Sequence, residues 1–290
     1  GAFLSSTKSP RAFSTNPALN GGVFYCIYIK EVMDYYLSHK DTEFEWGPHN
    51  EWADDGEFAF KANLEKYPDD KCLLHYRDNP LLYKTNKQGY RSPCDIEKDF
   101  DGNLYLGCSH TYGIGHYWEN TWVSLLNNKI GGKCLNLGVP GTGIGTGART
   151  LNELKYVIKP KNIFCNYVHR YRFEFWDWEG KYWRTISPNF VYEIDGPNAK
   201  VPKEMMMFLT QEEYKDSYYQ AQFALIKNIA QEIGAKLYTI PSISSSQFRK
   251  PYKSTSTPFK ARDLLHSTTM WHSQVADTFY KTYTNNFSLL

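Results

Sequence analysis

The sequence lacks three features that would point directly to a binding class. It has no charge excess, with 33 Lys and Arg against 31 Asp and Glu and a net charge of +2, so we expect no nucleic-acid partner. Its six cysteines form no C-x-x-C pair and no zinc-finger spacing, which argues against a structural metal. Its longest early apolar run, GGVFYCIYI, is too short to cross a bilayer and follows no charged leader. We therefore expect a soluble protein without a membrane span, either cytoplasmic or part of a larger assembly.

The chain is rich in aromatic residues and long enough to bury a sizeable core. It has 290 residues, of which 17% are aromatic, including 23 tyrosines and 8 tryptophans. Such rings either fill a core or form stacking surfaces for sugars and bases. Composition does not choose between these two uses, and it leaves the oligomeric state open.

From Gly102 onward, short apolar runs alternate with helix-like segments, a pattern typical of a parallel sheet covered by helices. The predicted strands are 103–106, 133–137, 163–168 and 236–240, and the predicted helices are 120–128, 147–157, 210–233 and 268–283. Thr210 and Glu213 form a capping box for the third helix. The sequence predicts an α/β fold: a three-layer α/β/α, doubly wound, mostly parallel sheet in residues 96–290. Residues 1–95 are predicted to be an irregular N-terminal extension packed on it, with a loop or short ribbon over 44–61.

A serine lies where the first of these strands ends, in the stretch YLGCSHTYGIG. Ligands of open α/β sheets bind outside the carboxyl ends of the strands, so Ser109 is a candidate nucleophile there. The amides of a following helix would supply donors for a developing oxyanion. In the alternative interpretation, Ser109 is an ordinary turn residue, because serine and glycine are common in turns.

A candidate base for this serine lies near the carboxyl end, in RDLLHSTTMWHSQVADTFY. Asp263 and His266 are three residues apart in the loop before the last helix, a spacing that lets a carboxylate hold one imidazole nitrogen. A lone D-x-x-H is more often a solvated turn. Its position in the last loop of a sheet whose first loop carries Ser109 favours a catalytic pair.

Four segments together resemble the SGNH (GDSL-like) hydrolase superfamily over about Asn86–Tyr283. TNKQGYRS resembles the lead-in segment, GCSHTYG the nucleophile block, LNLGVPGTG the second block and DLLHSTTMWH the last block. The resemblance implies a three-layer flavodoxin-like fold with acyl-ester or acyl-transfer chemistry. It implies Ser109, Asp263 and His266 as the catalytic triad, and the amides of Ser109 and Gly138 as oxyanion donors. No cofactor or metal is implied.

The chain departs from the family pattern in two blocks. Cys108 stands where the family usually has an aspartate, and we expect its thiol to point away from the serine side chain. The third block, G-x-N-D, is replaced by NIFCNYVHRYRFEF. Counting from Pro160 gives His169 as the third oxyanion donor, with Asn166 as the second choice. Alternatively, His169 and Arg170 only bond to neighbouring loops.

An aromatic segment, FEFWDWEGKYW, follows the same strand. Trp176 and Trp178, with Arg170, are candidate substrate-binding residues that would form a sugar-stacking wall over the site. The alternative is a small capping unit that buries its rings. The predicted function is a serine hydrolase that cleaves acyl esters, with acetyl esters of a carbohydrate as the favoured substrate. A polysaccharide O-acetyltransferase and a non-catalytic carbohydrate-binding or structural module remain as alternatives.

Overall fold

In the computed structural model, the described part of the chain comprises residues 40–46, 55–168, 172–177, 182–186, 211–240 and 260–288. Its strands are β1 (Glu43–Phe44), β2 (Tyr83–Lys84), β3 (Asn103–Gly107), β4 (Cys134–Asn136), β5 (Asn162–Asn166), β6 (Phe173–Asp177), β7 (Tyr182–Ile186) and β8 (Lys236–Thr239). Its helices are α1 (Glu57–Lys66), α2 (Lys71–Asp78), α3 (Ser109–Tyr112), α4 (Trp122–Ile130), α5 (Ile144–Leu154), α6 (Glu212–Glu232) and α7 (Thr269–Thr284), with a 3-10 turn at Trp118–Asn120.

Four strands form a parallel sheet in the order β4-β3-β5-β8. Side chains alternate along β3, so Leu104 and Leu106 enter the core shared with α5 and α6. Tyr105 enters the opposite core, where Phe164 of β5 stacks on it and α4 and α7 cover the rings. Helices therefore lie on both faces of the sheet. The predicted α/β class with a parallel sheet is confirmed, and each of the four predicted strands is present within two residues of its predicted ends.

The strand order changes direction between β3 and β5, because β3 is followed by β4 towards one edge of the sheet and β5 by β8 towards the other. The helix α4, which connects β3 to β4, packs on one face, whereas α6, which lies between β5 and β8, packs on the other. The connections leaving these two strands therefore run to opposite faces at the carboxyl edge of the sheet. Such a switch point is where open α/β sheets bind their ligands. Ser109 lies two residues beyond the end of β3 at this edge.

Two helix starts can be compared with the sequence-based predictions. The helix predicted over 268–283 is α7, and Thr268 is its N-cap, its hydroxyl accepting the Trp271 N–H at 3.4 Å. The predicted capping box on α6 is not confirmed. That helix has Gln211 at its N-cap with no side-chain hydrogen bond there, while Thr210 lies outside the described residues. Within the described ranges, no helix is both long and apolar enough to cross a bilayer.

The described residues before the sheet are more regular than predicted. Within the described residues of the ribbon expected over 44–61, only Phe44 is in a strand, as part of β1, which pairs with β2, and α1 begins at Glu57. Asp70 caps α2 by accepting the N–H groups of Cys72 and Leu73. The rings of this part join Tyr112 and Ile114 of the main fold in one buried cluster. Residues 55–95 therefore pack directly against the segment that contains Ser109.

Candidate active site

A tight turn presents Ser109 at the start of α3. A Cβ on Gly107 would lie 1.9 Å from Thr111 Oγ1 and 2.6 Å from the Asn166 carbonyl oxygen, so only glycine lets β3 approach α3 and β5 this closely. The N–H groups of Thr111 and Tyr112 donate to the Cys108 carbonyl at 2.9 Å. The first amides of a helix lack intrahelical acceptors, so the Ser109 amide is placed to act as a donor. Ser109 itself is 5% exposed.

The neighbouring thiol belongs to the core. Cys108 is 1% exposed and lies in the same buried cluster as Leu104 and Leu106. Its side chain therefore lies in the core between the sheet and its helices. The five cysteines within the described residues are all free thiols.

Asp263 and His266 form a hydrogen-bonded pair in the loop before α7. The Asp263 carboxylate accepts a short hydrogen bond from His266 Nδ1 through Oδ2. Its other oxygen accepts the N–H groups of Leu265 and His266, each at 3.0 Å. Burial tends to raise the pKa of Asp263, but the His266 imidazole and these amides outweigh it and hold the pKa below its usual value. The carboxylate therefore stays ionised and fixes the Nδ1–H tautomer of the imidazole.

The loop after β3, which contains the candidate nucleophile Ser109, and the loop before α7, which contains the candidate acid–base pair, are in direct contact. His110, the residue after Ser109, has its ring centroid 5.3 Å from that of His266. Its Nδ1 lies 3.1 Å from the hydroxyl of Ser267. The His266 side chain is 15% exposed, so part of the imidazole reaches the surface at this junction. His266 thus lies against His110, the residue that follows Ser109 in the chain.

Gly138 and Gly141 of the second block differ in what their backbone does. The Gly138 N–H donates to Asn136 Oδ1 at 2.9 Å, and this hydrogen bond competes with the oxyanion role that the resemblance assigns to it. A Cβ on Gly138 would lie 2.6 Å from the Tyr112 nitrogen, so its glycine is required for packing against α3. Gly141 instead lies in an exposed turn with a φ of 77° and open space beside its Cα.

Asn166 is the described candidate for a third oxyanion donor. It ends β5 directly opposite Gly107. The residue is buried, yet its side-chain Nδ2 has no hydrogen-bond partner. A buried donor without a partner is costly, and it is a feature expected of a group that awaits a ligand. His169, the first choice from the sequence, lies outside the described residues, as do Arg170 and Trp178.

The aromatic segment forms an antiparallel hairpin of β6 and β7. Trp176 is half-buried on β6. Glu174 on the same strand accepts a 3.0 Å hydrogen bond from Arg149 of α5 and a 2.5 Å hydrogen bond from Thr146. The Arg172 guanidinium donates to the Thr142 carbonyl at 3.2 Å. These hydrogen bonds hold the hairpin beside the turn that contains Gly141.

Two further histidines are buried behind the junction in their neutral forms. His116 Nε2 donates to the Ser267 carbonyl at 2.5 Å, and burial lowers the pKa of His116 to about 4. His272 Nδ1 accepts the Trp122 N–H at 3.0 Å, and burial holds the pKa of His272 well below its ordinary value. The two rings lie 4.6 Å apart. In the described part of the chain, no group of three or more His, Cys, Asp or Glu could hold a metal ion.

Sequence reasoning missed the role of Arg91 in the lead-in segment. This buried guanidinium donates to the carbonyls of Gly113 at 2.6 Å, Tyr112 at 3.3 Å and His116 at 2.8 Å. It also stacks 4.6 Å from the centroid of the Tyr83 ring. Arg91 thus holds the loop that follows α3 in place through these hydrogen bonds. An arginine inside an otherwise uncharged G-Y-R-S stretch was the available signal.

Comparisons with known proteins add no family. No family model matches the chain, and no curated protein matches it. One solved crystal structure, 12% identical, aligns over 64% of this chain and 98% of its own chain with a TM-score of 0.32. Likeness at that level carries no argument about fold or function. The geometry shows an α/β protein in which the Asp263–His266 pair lies against His110, next to Ser109.

Proposed function

We propose that the protein is a serine hydrolase of acyl esters, with the SGNH-type arrangement that its motifs resemble. The observation that carries the proposal is the meeting of two loops. The Asp263–His266 pair lies against His110, the residue that follows Ser109, at the switch point of a parallel sheet. A carboxylate, an imidazole and a hydroxyl on two loops that meet are the groups that nucleophilic acyl transfer needs.

The reaction follows from the roles of these groups. His266 accepts the Ser109 proton as the hydroxyl attacks the ester carbonyl, and Asp263 stabilises the resulting imidazolium. His266 then gives the proton to the leaving alcohol, which departs as the acyl-enzyme forms. Water, deprotonated by the same imidazole, cleaves the acyl-enzyme and restores Ser109. These steps require no metal and no organic cofactor.

We assign the oxyanion donors as the amides of Ser109 and Gly141 and the side chain of Asn166. Gly141 replaces Gly138 in this assignment because the Gly138 amide already donates to Asn136. The Asn166 amide is favoured by its burial without a partner. His169 remains the alternative donor. The donors act by stabilising charge that develops only in the transition state.

The substrate class is argued from the aromatic hairpin. Trp176 stands on a hairpin fastened next to the Gly141 turn, which supports an aromatic wall at the edge of the site. A sugar ester with a short acyl group fits such a wall. Whether water or a sugar hydroxyl accepts the acyl group separates an esterase from an O-acetyltransferase. Turnover of an aryl acetate with and without added oligosaccharide distinguishes the two.

The proposal is tested with Ser109→Ala, assayed for hydrolysis of an aryl acetate. Loss of the nucleophile should remove nearly all turnover, since the loss of a triad serine costs about a millionfold in the best-studied protease. Cys108→Ser is the matched control, because this buried thiol faces the core and should not be needed for chemistry. Equal turnover in wild type and Ser109→Ala would exclude Ser109 as the nucleophile.

A further inference from the structure

The acid–base loop is held by residues from the N-terminal part of the chain. Lys260 Nζ pairs with Asp70 at 2.8 Å, and the Tyr76 hydroxyl donates to the Lys260 carbonyl at 3.1 Å. Asn63 Nδ2 lies 3.5 Å from the Asp263 carbonyl oxygen. Leu264 packs on the ring cluster of α1 and α2. Every one of these contacts crosses from residues before the sheet to residues beside the catalytic pair.

Arg262 forms the central contact of this set. Its guanidinium makes two hydrogen bonds to the Asp55 carboxylate, each 2.8 Å long, and both side chains are 1% exposed. It also donates to the Glu45 carbonyl at 2.6 Å and stacks 4.6 Å from the Trp46 ring centroid. A bidentate buried pair fixes orientation as well as distance. Arg262 directly precedes Asp263, so holding Arg262 in place also restricts the position of the Asp263 carboxylate.

Tyr83 joins the same pair to the nucleophile loop. Its buried hydroxyl donates a short hydrogen bond to Asp55 and accepts the Gly115 N–H at 2.7 Å. The Gly115 carbonyl in turn accepts the Arg262 N–H at 2.9 Å. These bonds close a circuit through Asp55, Tyr83, Gly115 and Arg262, which we name the positioning circuit. A Cβ on Gly115 would lie 2.8 Å from the Ala261 Cβ, so the two loops touch with no space for a side chain between them.

One residue of the acid–base loop has a backbone conformation that the surrounding structure must impose. Leu264 has a φ of 59°, in the left-handed region that favours glycine. A leucine keeps such a conformation only when its surroundings impose it. Here the turn is closed by the Leu264 N–H donating to the Ala261 carbonyl at 2.9 Å, next to the positioning circuit.

We infer that Asp55, Tyr83 and Arg262 are positioning residues that hold the Asp263–His266 pair in register with the Ser109 loop. The kinetic consequence of this inference rests on the proposed hydrolase function. The geometric consequence, a fixed Asp263–His266 hydrogen bond, does not. The N-terminal residues thereby become part of the active unit of the protein.

The test uses Tyr83→Phe, which removes one hydroxyl from the positioning circuit and keeps the ring. Tyr105→Phe is the matched control, because Tyr105 is also buried and its hydroxyl donates to Asn127 at 3.0 Å, away from the acid–base loop. Both variants are compared by thermal melting, by kcat and KM for an aryl acetate, and by the far-downfield proton resonance of the His266 Nδ1–H. That resonance is assigned by its loss in His266→Gln.

We expect Tyr83→Phe to lower kcat about tenfold with KM unchanged, since small misplacement of catalytic groups is costly. The downfield resonance should shift or broaden in this variant and stay in place in Tyr105→Phe. If Tyr83→Phe does not fold, Arg262→Lys, which keeps the charge and loses the bidentate bond, takes its place in the same comparison.

The inference is overturned if Tyr83→Phe only melts earlier, with kcat and the resonance equal to those of Tyr105→Phe. Failure of the proposed function gives a different result. In that case the wild-type protein shows no turnover, and the resonance alone decides the inference, because it reports the Asp263–His266 bond without any substrate.

Discussion

The Asn166→Ala substitution should separate catalysis from stability. The Asn166 side chain is buried at the end of β5, and its Nδ2 has no hydrogen-bond partner among the described residues. Removing one oxyanion donor costs about a hundredfold to a thousandfold in kcat, or roughly 3 to 4 kcal/mol of transition-state stabilisation. Removing an unpaired buried donor also removes its desolvation penalty, so the free energy of unfolding should change by less than about 1 kcal/mol.

Asn136→Ala is the matched comparison at the end of β4, which flanks β3 on the side opposite to β5. The Asn136 side chain donates to the Thr111 carbonyl at 3.0 Å and accepts the Gly138 N–H at 2.9 Å, so both of its polar ends are paired. Its removal leaves two buried backbone groups unpaired and should lower the free energy of unfolding by about 2 to 4 kcal/mol.

The assay for both variants is urea unfolding beside aryl acetate turnover, at a temperature where each protein is folded. Asn166→Ala should lose rate and keep stability, whereas Asn136→Ala should lose stability first. A near-normal rate for Asn166→Ala, or an equal loss of stability in both variants, would refute the assignment of Asn166 as an oxyanion donor.

Two further predictions concern buried groups around the site. Burial lowers the pKa of His116 to about 4 from an ordinary 6.5, so the unfolded chain takes up this proton first as the pH falls. The contribution of neutral His116 to the free energy of unfolding is full above pH 6.5 and should fall by roughly 2 kcal/mol at pH 5. Urea unfolding should find this loss reduced in His116→Gln, and an equal dependence of unfolding free energy on pH in wild type and His116→Gln would contradict the prediction. A lysine at position 91 cannot reach all three carbonyls that Arg91 bonds. Arg91→Lys should therefore lower the free energy of unfolding by about 2 kcal/mol in the same urea assay. An unchanged midpoint for Arg91→Lys would show that these bonds contribute nothing.

The sheet and its helices could be predicted because their signals are local. The apolar run of β3, the glycine turn after it and the threonine cap of α7 each lie within a few residues. The helix α1 was missed because its sequence, EFAFKANLEK, has little amphipathic pattern, and its packing on Tyr112 and Ile114 decides its form. The β6–β7 hairpin was missed for a similar reason, since its anchor is Glu174 bonding across to α5.

The candidate site was predictable in part. Asp263 and His266 are three residues apart, so their hydrogen bond follows from local spacing. The occupied amide of Gly138 also had a local signal, because an asparagine two residues before a glycine commonly accepts its N–H in a turn. The Asp55–Arg262 pair had none, since its partners are 207 residues apart in the chain and only the tertiary fold brings them together.

The most direct test of the central claim is labelling of the folded protein with a fluorophosphonate probe, followed by mapping of the modified residue. The account predicts one modified serine, Ser109, with labelling lost in His266→Gln because the imidazole activates the hydroxyl. Labelling of a different residue, or labelling of Ser109 at the same rate in His266→Gln, would contradict a Ser109–His266–Asp263 nucleophile.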